Sequence, residues 1–385
     1  VETAKRLGIK VLKRSELLGR LLIESKQRVI RVAGSYGKST TTAMIGSILL
    51  SAKLNPTVIV GAYVPSFSSH AVIGKGPYAV VESCEFDSSF LDIPGFVSVI
   101  TSIEADHMDY YRGGLEEVLG EFSKFSNQTN PNGALVVCED NENIRNFFMT
   151  QHRGEVRTYG LNYGEWQAIS SVKCSDKRHS FIVRFREKEF SKFEIALPGQ
   201  HYVQNALAAI VVSNFIGVGI DAIASGLQQF QGVSRRYDMV IERDGVKVID
   251  DYGHTPFEIY TVVKTIKEEY PNSLLLCVPC LRQFHRTERQ IKEFASAMLL
   301  ADTCVIAPIV RGLGDDESTI DILLSEKLAS EIRVSGGIAV SVSSDNEAVS
   351  KILKILNMST AFTKIILTIG SGVSKGVIDL LRKEL

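Results

Sequence analysis

The sequence predicts an α/β protein: a mostly parallel sheet carrying an antiparallel side sheet, followed by a second α/β domain. Three observations predict it. Short apolar runs that read as buried strands alternate with helix-length amphipathic segments, the pattern of βα units. One run, "RVIRVA", leads straight into the glycine-containing turn "GSYGKSTTT". A second alternation opens past Gly232 with "YDMVIERDGVKVIDDYG", which reads as a hairpin turning at Asp244-Gly245. A length of 385 residues suits two or three domains, and the boundaries read as 1–27, 28–231 and 232–385.

Taken in order, the strand candidates are "RVIRVA", "PTVIVG", "YAVVES", "FVSVIT", "ALVVC", "SLLLCV", "TCVIAP" and "KIILTI". The helix candidates are Lys38 to Ser51, Leu115 to Ser126, Val203 to Ile216 and Glu288 to Leu299. Between Glu155 and Leu197 the rhythm changes to closely spaced strands, "EVRTYGL", "AISSVKC", "SFIVRFR" and "KFEIALP", read as the antiparallel side sheet.

Composition excludes several classes. Apolar residues make up 45% and charged residues 23%, ordinary for a globular chain, and the formal net charge is −1. No basic field points to nucleic acid or a membrane surface. No apolar run reaches the roughly 18 residues of a spanning helix, and no secretory leader is expected. Six cysteines are scattered, as in a reducing cytoplasm. The pair Cys277 and Cys280 has the spacing of a redox motif or half a zinc site, but it follows a strand and has no second pair to complete four thiolates, so core packing is expected.

The turn after "RVIRVA" carries the clearest chemistry. A buried strand places Gly34 to Lys38 at its carboxyl end, with a helix starting near Lys38. Free amides at a helix N-terminus and the helix dipole attract phosphate, and glycines let the backbone approach it. The amides of Gly34, Ser35, Gly37, Lys38, Ser39 and Thr40 are the candidate phosphate cradle. Lys38 can reach the β/γ oxygens and Ser39 can offer Mg2+ a hard oxygen. Val32 stands where the general Walker pattern has its first glycine, so this loop is shorter. Two neighbouring apolar strands end in acids: Glu82 in "YAVVESCEFD", and Glu104, Asp106 and His107 in "VITSIEADHMDYY". Ligands gather at such strand ends, which makes Glu82 and His107 candidate metal ligands beside Ser39.

These strings resemble the Mur ligases, ATP-dependent amide-bond formers of bacterial cell-wall synthesis. "GSYGKSTTTAMIGSIL" resembles the family's G-T-H-G-K-T-T-T-T loop, and "VITSIEADHMDYY" is similar to V-I-T-N-I-E-A-D-H-L-D-Y-Y. "VVESCEFDSSFL", "LPGQHYVQNALAAI", "GVSRRYD", "VIDDYGHTPFEI" and, more loosely, "LRQFHRT" follow in the family's order. Within the family they look like the branch that attaches L-alanine to UDP-N-acetylmuramate. The resemblance implies a P-loop ATP-binding central domain and a Rossmann-like C-terminal one. It implies ATP and Mg2+, a UDP-sugar acid and an amino acid as small-molecule partners, and a cytoplasmic monomer or homodimer.

The resemblance also assigns roles. Lys38 and the loop amides hold the β/γ-phosphates, and Ser39, Glu82 and His107 hold metal. Asn205 contacts adenine, Arg236 reaches the nucleotide with Arg235 as helper, Asp251 contacts nucleotide, and His254 is a second-domain active-site histidine. Lys38, His107, Arg236 and His254 thus form the expected catalytic set. Closure of the second domain would exclude water from an acyl phosphate. Arg286 is expected to face the incoming amino acid, and the glycine-rich "LTIGSGVSKG" reads as a close strand-to-helix turn.

The chain departs from the family at Tyr36 (histidine in the family), Cys84 (aspartate), Tyr202 (asparagine) and Thr255 (histidine). Its start, "VETAKRLGIKVLKRSELLGRLL", resembles only the end of the family's UDP-binding domain, so residues 1–27 read as a remnant of that domain and a linker, in a fragment or in a protein that works without a UDP cradle. Rival readings are a peptide-recycling, pseudomurein-type or folylpolyglutamate-like ligase of the same superfamily, or a Mur-like protein kept for binding alone.

Overall fold

The structure is a computed structural model that describes residues 1–108, 110–148, 154–173, 178–282, 284–310, 320–372 and 374–385. Asp109, Cys174, Gln283 and Val373, each part of a string quoted above, lie outside the described residues. The chain divides into two compact units, Val1–Val233 and Ser234–Leu385.

The first unit is built on one ten-stranded sheet. Its strands are β1 (Arg28–Ala33), β2 (Thr57–Val64), β3 (Ser69–Val72), β4 (Tyr78–Glu82), β5 (Gly95–Ile100), β6 (Thr129–Cys138), β7 (Glu155–Gly160), β8 (Trp166–Lys173), β9 (His179–Phe185) and β10 (Lys188–Ile195), in the order β10-β9-β8-β7-β6-β5-β1-β4-β2-β3. From β7 to β2 every neighbouring pair is parallel. Such strands are covered on both faces and read as continuous apolar runs, which is why β1 is buried from Val29 to Ala33. On one side the helix Lys38–Ser51 packs against helices Gln200–Phe215 and Ile220–Gln229 and against β2. That contact buries Ser39 through Leu49 without a break. Elsewhere in the unit, Phe90, Phe122 and Phe125 form an aromatic cluster, Phe90 lying 5.1 Å and 4.9 Å, centroid to centroid, from the other two rings.

The strand-rich stretch differs from expectation. β8, β9 and β10 do pair antiparallel. They are attached to the main sheet as its edge, as expected, and the departure is β7, which joins β6 in parallel. A parallel neighbour needs a crossover, and the short helix Glu142–Phe148 supplies it. The helix expected from Val203 begins earlier, at Gln200, behind Gly199. The one expected over Glu288–Leu299 is two pieces, Phe284–Arg289 and Ile291–Ala297, broken at the non-helical Gln290.

The second unit holds a six-stranded sheet, β11-β12-β18-β13-β14-β17, made of β11 (Asp238–Arg243), β12 (Val246–Asp251), β13 (Leu274–Pro279), β14 (Thr303–Ile306), β17 (Ala339–Ser341) and β18 (Lys364–Ile369), with a separate pair β15 (Ile309–Val310) and β16 (Ile320–Asp321). Only the β11–β12 pair of the six-stranded sheet is antiparallel. It is a hairpin whose two turn residues, Asp244 (φ 49°) and Gly245 (φ 79°), both have the positive φ of a type I′ turn. Cys277 and Cys280 are core residues, and Cys277 sits in register with Cys304 on β14. Burial raises the Cys280 thiol to about 12, and Cys277 is held high beside Cys304 by their mutual contact and burial. No helix among the described residues is long and apolar enough to cross a membrane.

Candidate functional site

β1 ends at Ala33 and the next helix begins at Lys38, so residues 34–37 must turn the chain in one tight loop. Gly34 and Gly37 take φ of 136° and 84°, and a Cβ on either would lie 2.2 Å from Thr101 Oγ1 or 2.6 Å from Asn205 Oδ1. Only glycine fits both demands. The end of β5 clamps the loop: Ser35 N donates to Ser102 O at 3.0 Å, Tyr36 N to Ser102 Oγ at 3.0 Å, and Glu104 N to Ser35 Oγ at 2.8 Å. The amides of Lys38, Ser39 and Thr40 precede the first intrahelical bond, which Thr41 N makes to Gly37 O at 2.9 Å. This is the amide-lined, dipole-positive geometry that holds phosphate.

Lys38 folds back over the loop. Its Nζ donates to Gly34 O and to Ser35 O, and lies 3.0 Å from the Glu85 carboxylate. Glu85 is buried, with 2% of its side chain exposed, and Lys38 is partly buried, with 14% exposed. Burial works against the ammonium, but Glu85, with smaller contributions from Cys84 and Glu82, outweighs it and holds the lysine pKa above its ordinary value. Burial raises the Cys84 thiol against the pull of Lys38.

Glu85 is also the hub of a cation-ready cluster. Donor atoms of Glu85, Asp106 and His107 lie within 4.8 Å of one another, and His107 Nε2 is 3.9 Å from a carboxylate oxygen of each acid. Two structural features hold the cluster. Tyr111 OH donates to Glu85 O. His107 takes φ of 56°, its N donates to Asp106 Oδ1 at 2.6 Å, and its ring packs 5.2 Å from Phe86. A non-glycine residue at positive φ costs energy and so marks a constrained site. Glu82 lies at the end of β4, but its carboxylate accepts from Gly61 N at 2.6 Å and stands outside this trio. Asn205 reaches the loop from its helix, accepting from Thr41 Oγ1 at 3.3 Å. The first unit thus gathers Gly34 to Thr40, Asn205 and His107 around the end of β1.

The second unit gathers Arg236, Asp251 and His254. Asp251 closes β12 and accepts from Tyr237 N at 2.8 Å and Gly253 N at 2.7 Å. Arg236 Nη1 is 3.5 Å from Glu258, and its guanidinium lies 5.1 Å from the Tyr252 ring centroid. His254 Nδ1 is 3.4 Å from Glu258 Oε2, which also accepts from His254 N at 3.0 Å. Arg235 Nε donates to Asp250 at 2.9 Å and its Nη2 to Gly370 O at 2.8 Å. Arg286 lies on the helix Phe284–Arg289.

Sequence reasoning assigned nothing to Glu85 or Glu258. The signal for Glu258 is legible: Thr255 and Glu258 form a capping box with Pro256 at the first helical position. For Glu85 the string offers three nearby acids, Glu82, Glu85 and Asp87, and spacing alone does not choose among them.

Burial pushes the Asp251 carboxyl up to about 6, against Arg236 and the Gly253 and Tyr237 amides, which favour its charge. A folded pKa above the unfolded one means stability that is fully present below pH ~4 and is lost as pH rises through ~6. We expect a carboxyl resonance titrating near pH 6, and a loss of stability from pH 4 to 6 that is smaller in Asp251→Asn. A midpoint below 4.5 would contradict this burial argument.

Residues 32–213 match the Mur ligase middle domain and residues 235–372 the Mur ligase glutamate ligase domain. The chain is 33% identical over 369 residues to the UDP-N-acetylmuramate–L-alanine ligase of Clostridium kluyveri, covering 96% of this chain and 78% of that one. It is 33% identical over 385 residues to the ligase of the same name from Caldicellulosiruptor bescii, covering 99% and 82%. Among solved structures it is similar to UDP-N-acetylmuramate-alanine ligase from Thermotoga maritima, with a TM-score of 0.81 at 24% identity over 100% of this chain and 82% of that one.

Proposed function

The chain belongs to the Mur ligase family, and from that premise we propose that it joins L-alanine to the carboxylate of UDP-N-acetylmuramate with cleavage of ATP. The observation that carries this reading is the pairing of the Gly34–Thr40 loop with Lys38 and the Glu85–Asp106–His107 trio at adjoining strand ends. A triphosphate with its cation needs both an amide cradle and hard donors close by.

The two carboxylates of the cluster offer the hard oxygen donors that Mg2+ takes, with the His107 imidazole within 4.8 Å of them. Glu85, Asp106 and His107 would hold the ion, with Ser39 at the helix start. Glu82, committed to Gly61 N, would join only by turning away from it. Bound there, Mg2+ neutralises phosphate charge.

The remaining chemistry falls to positioning. The substrate carboxylate attacks the γ-phosphorus and ADP departs; the alanine amine then attacks the acyl carbon and phosphate departs. Lys38 and the loop amides hold the phosphoryl oxygens where charge develops, which is the main protein contribution to phosphoryl transfer. We assign Asn205 to the adenine, Arg236 and Asp251 to the nucleotide, and His254 to a catalytic role. The five described cysteines are free, which suits action in the cytoplasm.

The test is ADP release by the full chain. UDP-N-acetylmuramate with L-alanine and Mg2+-ATP is expected to release ADP, and omission of either acceptor to stop it. Turnover with a muramyl tripeptide or with a folate and glutamate instead would replace the substrate assignment.

A further inference from the structure

The chain enters the second unit at Ser234 and reaches β11 at Asp238 through two left-handed residues, Arg235 (φ 59°) and Tyr237 (φ 53°), one on either side of Arg236. Left-handed backbone costs a non-glycine residue energy, so its surroundings must hold it there. Three hydrogen bonds to the backbone of this segment do so. Arg235 N donates to Asp238 Oδ2 at 3.1 Å, Tyr252 N to Arg235 O at 2.7 Å, and Tyr237 N to Asp251 Oδ2 at 2.8 Å.

The Arg235 side chain adds a cross-brace. Its Nε donates to Asp250 Oδ2 at 2.9 Å, and its Nη2 to Gly370 O at 2.8 Å, Gly372 O at 3.1 Å and Ser374 Oγ at 3.3 Å, all past the end of β18. Asp250 is nearly buried and is fixed in turn by Thr368 Oγ1 of β18 at 2.8 Å. Because β12 lies between β11 and β18, one guanidinium ties the segment before β11 to the next two strands. The Tyr252 ring serves both arginines, its centroid 5.2 Å from the Arg235 guanidinium and 5.1 Å from that of Arg236. The resemblance made Arg235 a helper at the nucleotide. We propose instead that Arg235 is a positioning residue, whose guanidinium braces the segment before β11 against β12 and β18 and so sets the backbone from which Arg236 projects. The proposal rests on the assignment of Arg236 to the nucleotide. The Nε–Nη2 edge of Arg235, one of the two that can meet a phosphate as a fork, is spent within its own unit. Arg236 must present its own fork in a set direction, and a misplaced charged group loses rate.

The experiment compares Arg235→Lys, Arg236→Ala and the double variant in the full chain, reading kcat/KM for Mg2+-ATP from ADP release, half-saturation by L-alanine, and thermal midpoint. Arg235→Lys keeps a charge beside Asp250 and loses the fork that also meets the Gly370 and Gly372 carbonyls. We expect it to lower kcat/KM for Mg2+-ATP about tenfold, the scale of one lost hydrogen bond to a charged group, with alanine half-saturation unchanged. Arg236→Ala should lower it by on the order of 10^2-fold. The double variant should match Arg236→Ala, because a brace with nothing left to aim adds no loss.

A direct phosphate contact by Arg235 would instead multiply the two losses in the double variant. A merely structural role would lower the thermal midpoint and impair the two substrates alike. Either result would overturn the proposal, as would wild-type kcat/KM in Arg235→Lys. If Arg235→Lys fails to fold, Asp250→Asn loosens the same brace from its other end and carries the same expectations and the same refutation. Arg236→Ala separates the two levels. A loss there with none in Arg235→Lys defeats the brace alone; wild-type kcat/KM in Arg236→Ala defeats the assignment of Arg236 to the nucleotide, and the brace with it.

Discussion

Lys38→Ala is expected to lower the rate of ATP-dependent amide formation by on the order of 10^2- to 10^3-fold, with the fold retained. The magnitude is that of removing one preorganised donor from a site where charge develops. Two features of this site push the loss toward the upper end. Lys38 faces Glu85 at 3.0 Å, so its removal leaves a carboxylate that is only 2% exposed without its cation. That carboxylate then faces an incoming triphosphate, and attraction becomes repulsion. Nearby Cys84 and Glu82, which help hold the ammonium charged, offer no substitute cation. Steady-state ADP release alongside a thermal melt checks the prediction. Activity within a few-fold of wild type in Lys38→Ala would rule out the role given to this side chain.

The second large effect concerns stability. Arg31→Ala should destabilise the first unit by about 3 to 5 kcal/mol, the range for truncating a large buried side chain or stripping a buried charge network of its centre. Arg31 lies in the middle of β1 with no exposed surface. Its Nε donates to Ser98 Oγ at 2.9 Å, its Nη1 to Ile93 O at 2.7 Å and Gln128 Oε1 at 3.2 Å, and its Nη2 to Phe125 O. The guanidinium also lies 3.9 Å from the Phe125 ring centroid. Burial draws its pKa down to about 9. Alanine would leave several acceptors without their donor and a void beneath the aromatic cluster. Lysine should recover little, since one ammonium cannot reproduce the planar fork that meets acceptors on three segments. Denaturant unfolding of the full chain, followed by a probe in the first unit, gives the number; a loss below 1 kcal/mol would mean that the network contributes little.

Arg31 also marks where reading the sequence stopped. "RVIRVA" was legible as a buried strand because five of its six positions behave as one, but a lone arginine in such a run carries no sign of its partners, which come from residues 62 to 97 positions away. The phosphate loop was legible for the opposite reason: its glycines, lysine and hydroxyls are contiguous, and local backbone chemistry sets their geometry. The parallel placement of β7 turned on a seven-residue helix, Glu142–Phe148, too short to stand out by periodicity. The choice of Glu85 over Glu82 as partner of Lys38 turned on the chain's path after β4, where Asp87 and Ser88 both take positive φ. No pattern of residue types announces that path. At Glu258 the capping box stood in plain view, and its second task, holding Arg236 and His254, emerges only when β12 and the following helix are in place.

The central claim is that the loop between Ala33 and Ser39 grips a magnesium-bound triphosphate. A crystal structure of the full chain with Mg2+ and a nonhydrolysable ATP analogue tests it most directly. Expected are β- and γ-phosphate oxygens on the amides of residues 37–40, the Lys38 ammonium lifted from the Gly34 and Ser35 carbonyls onto those oxygens, and the ion against Glu85 or His107. A nucleotide bound elsewhere, with Lys38 still resting on its own loop, would contradict it.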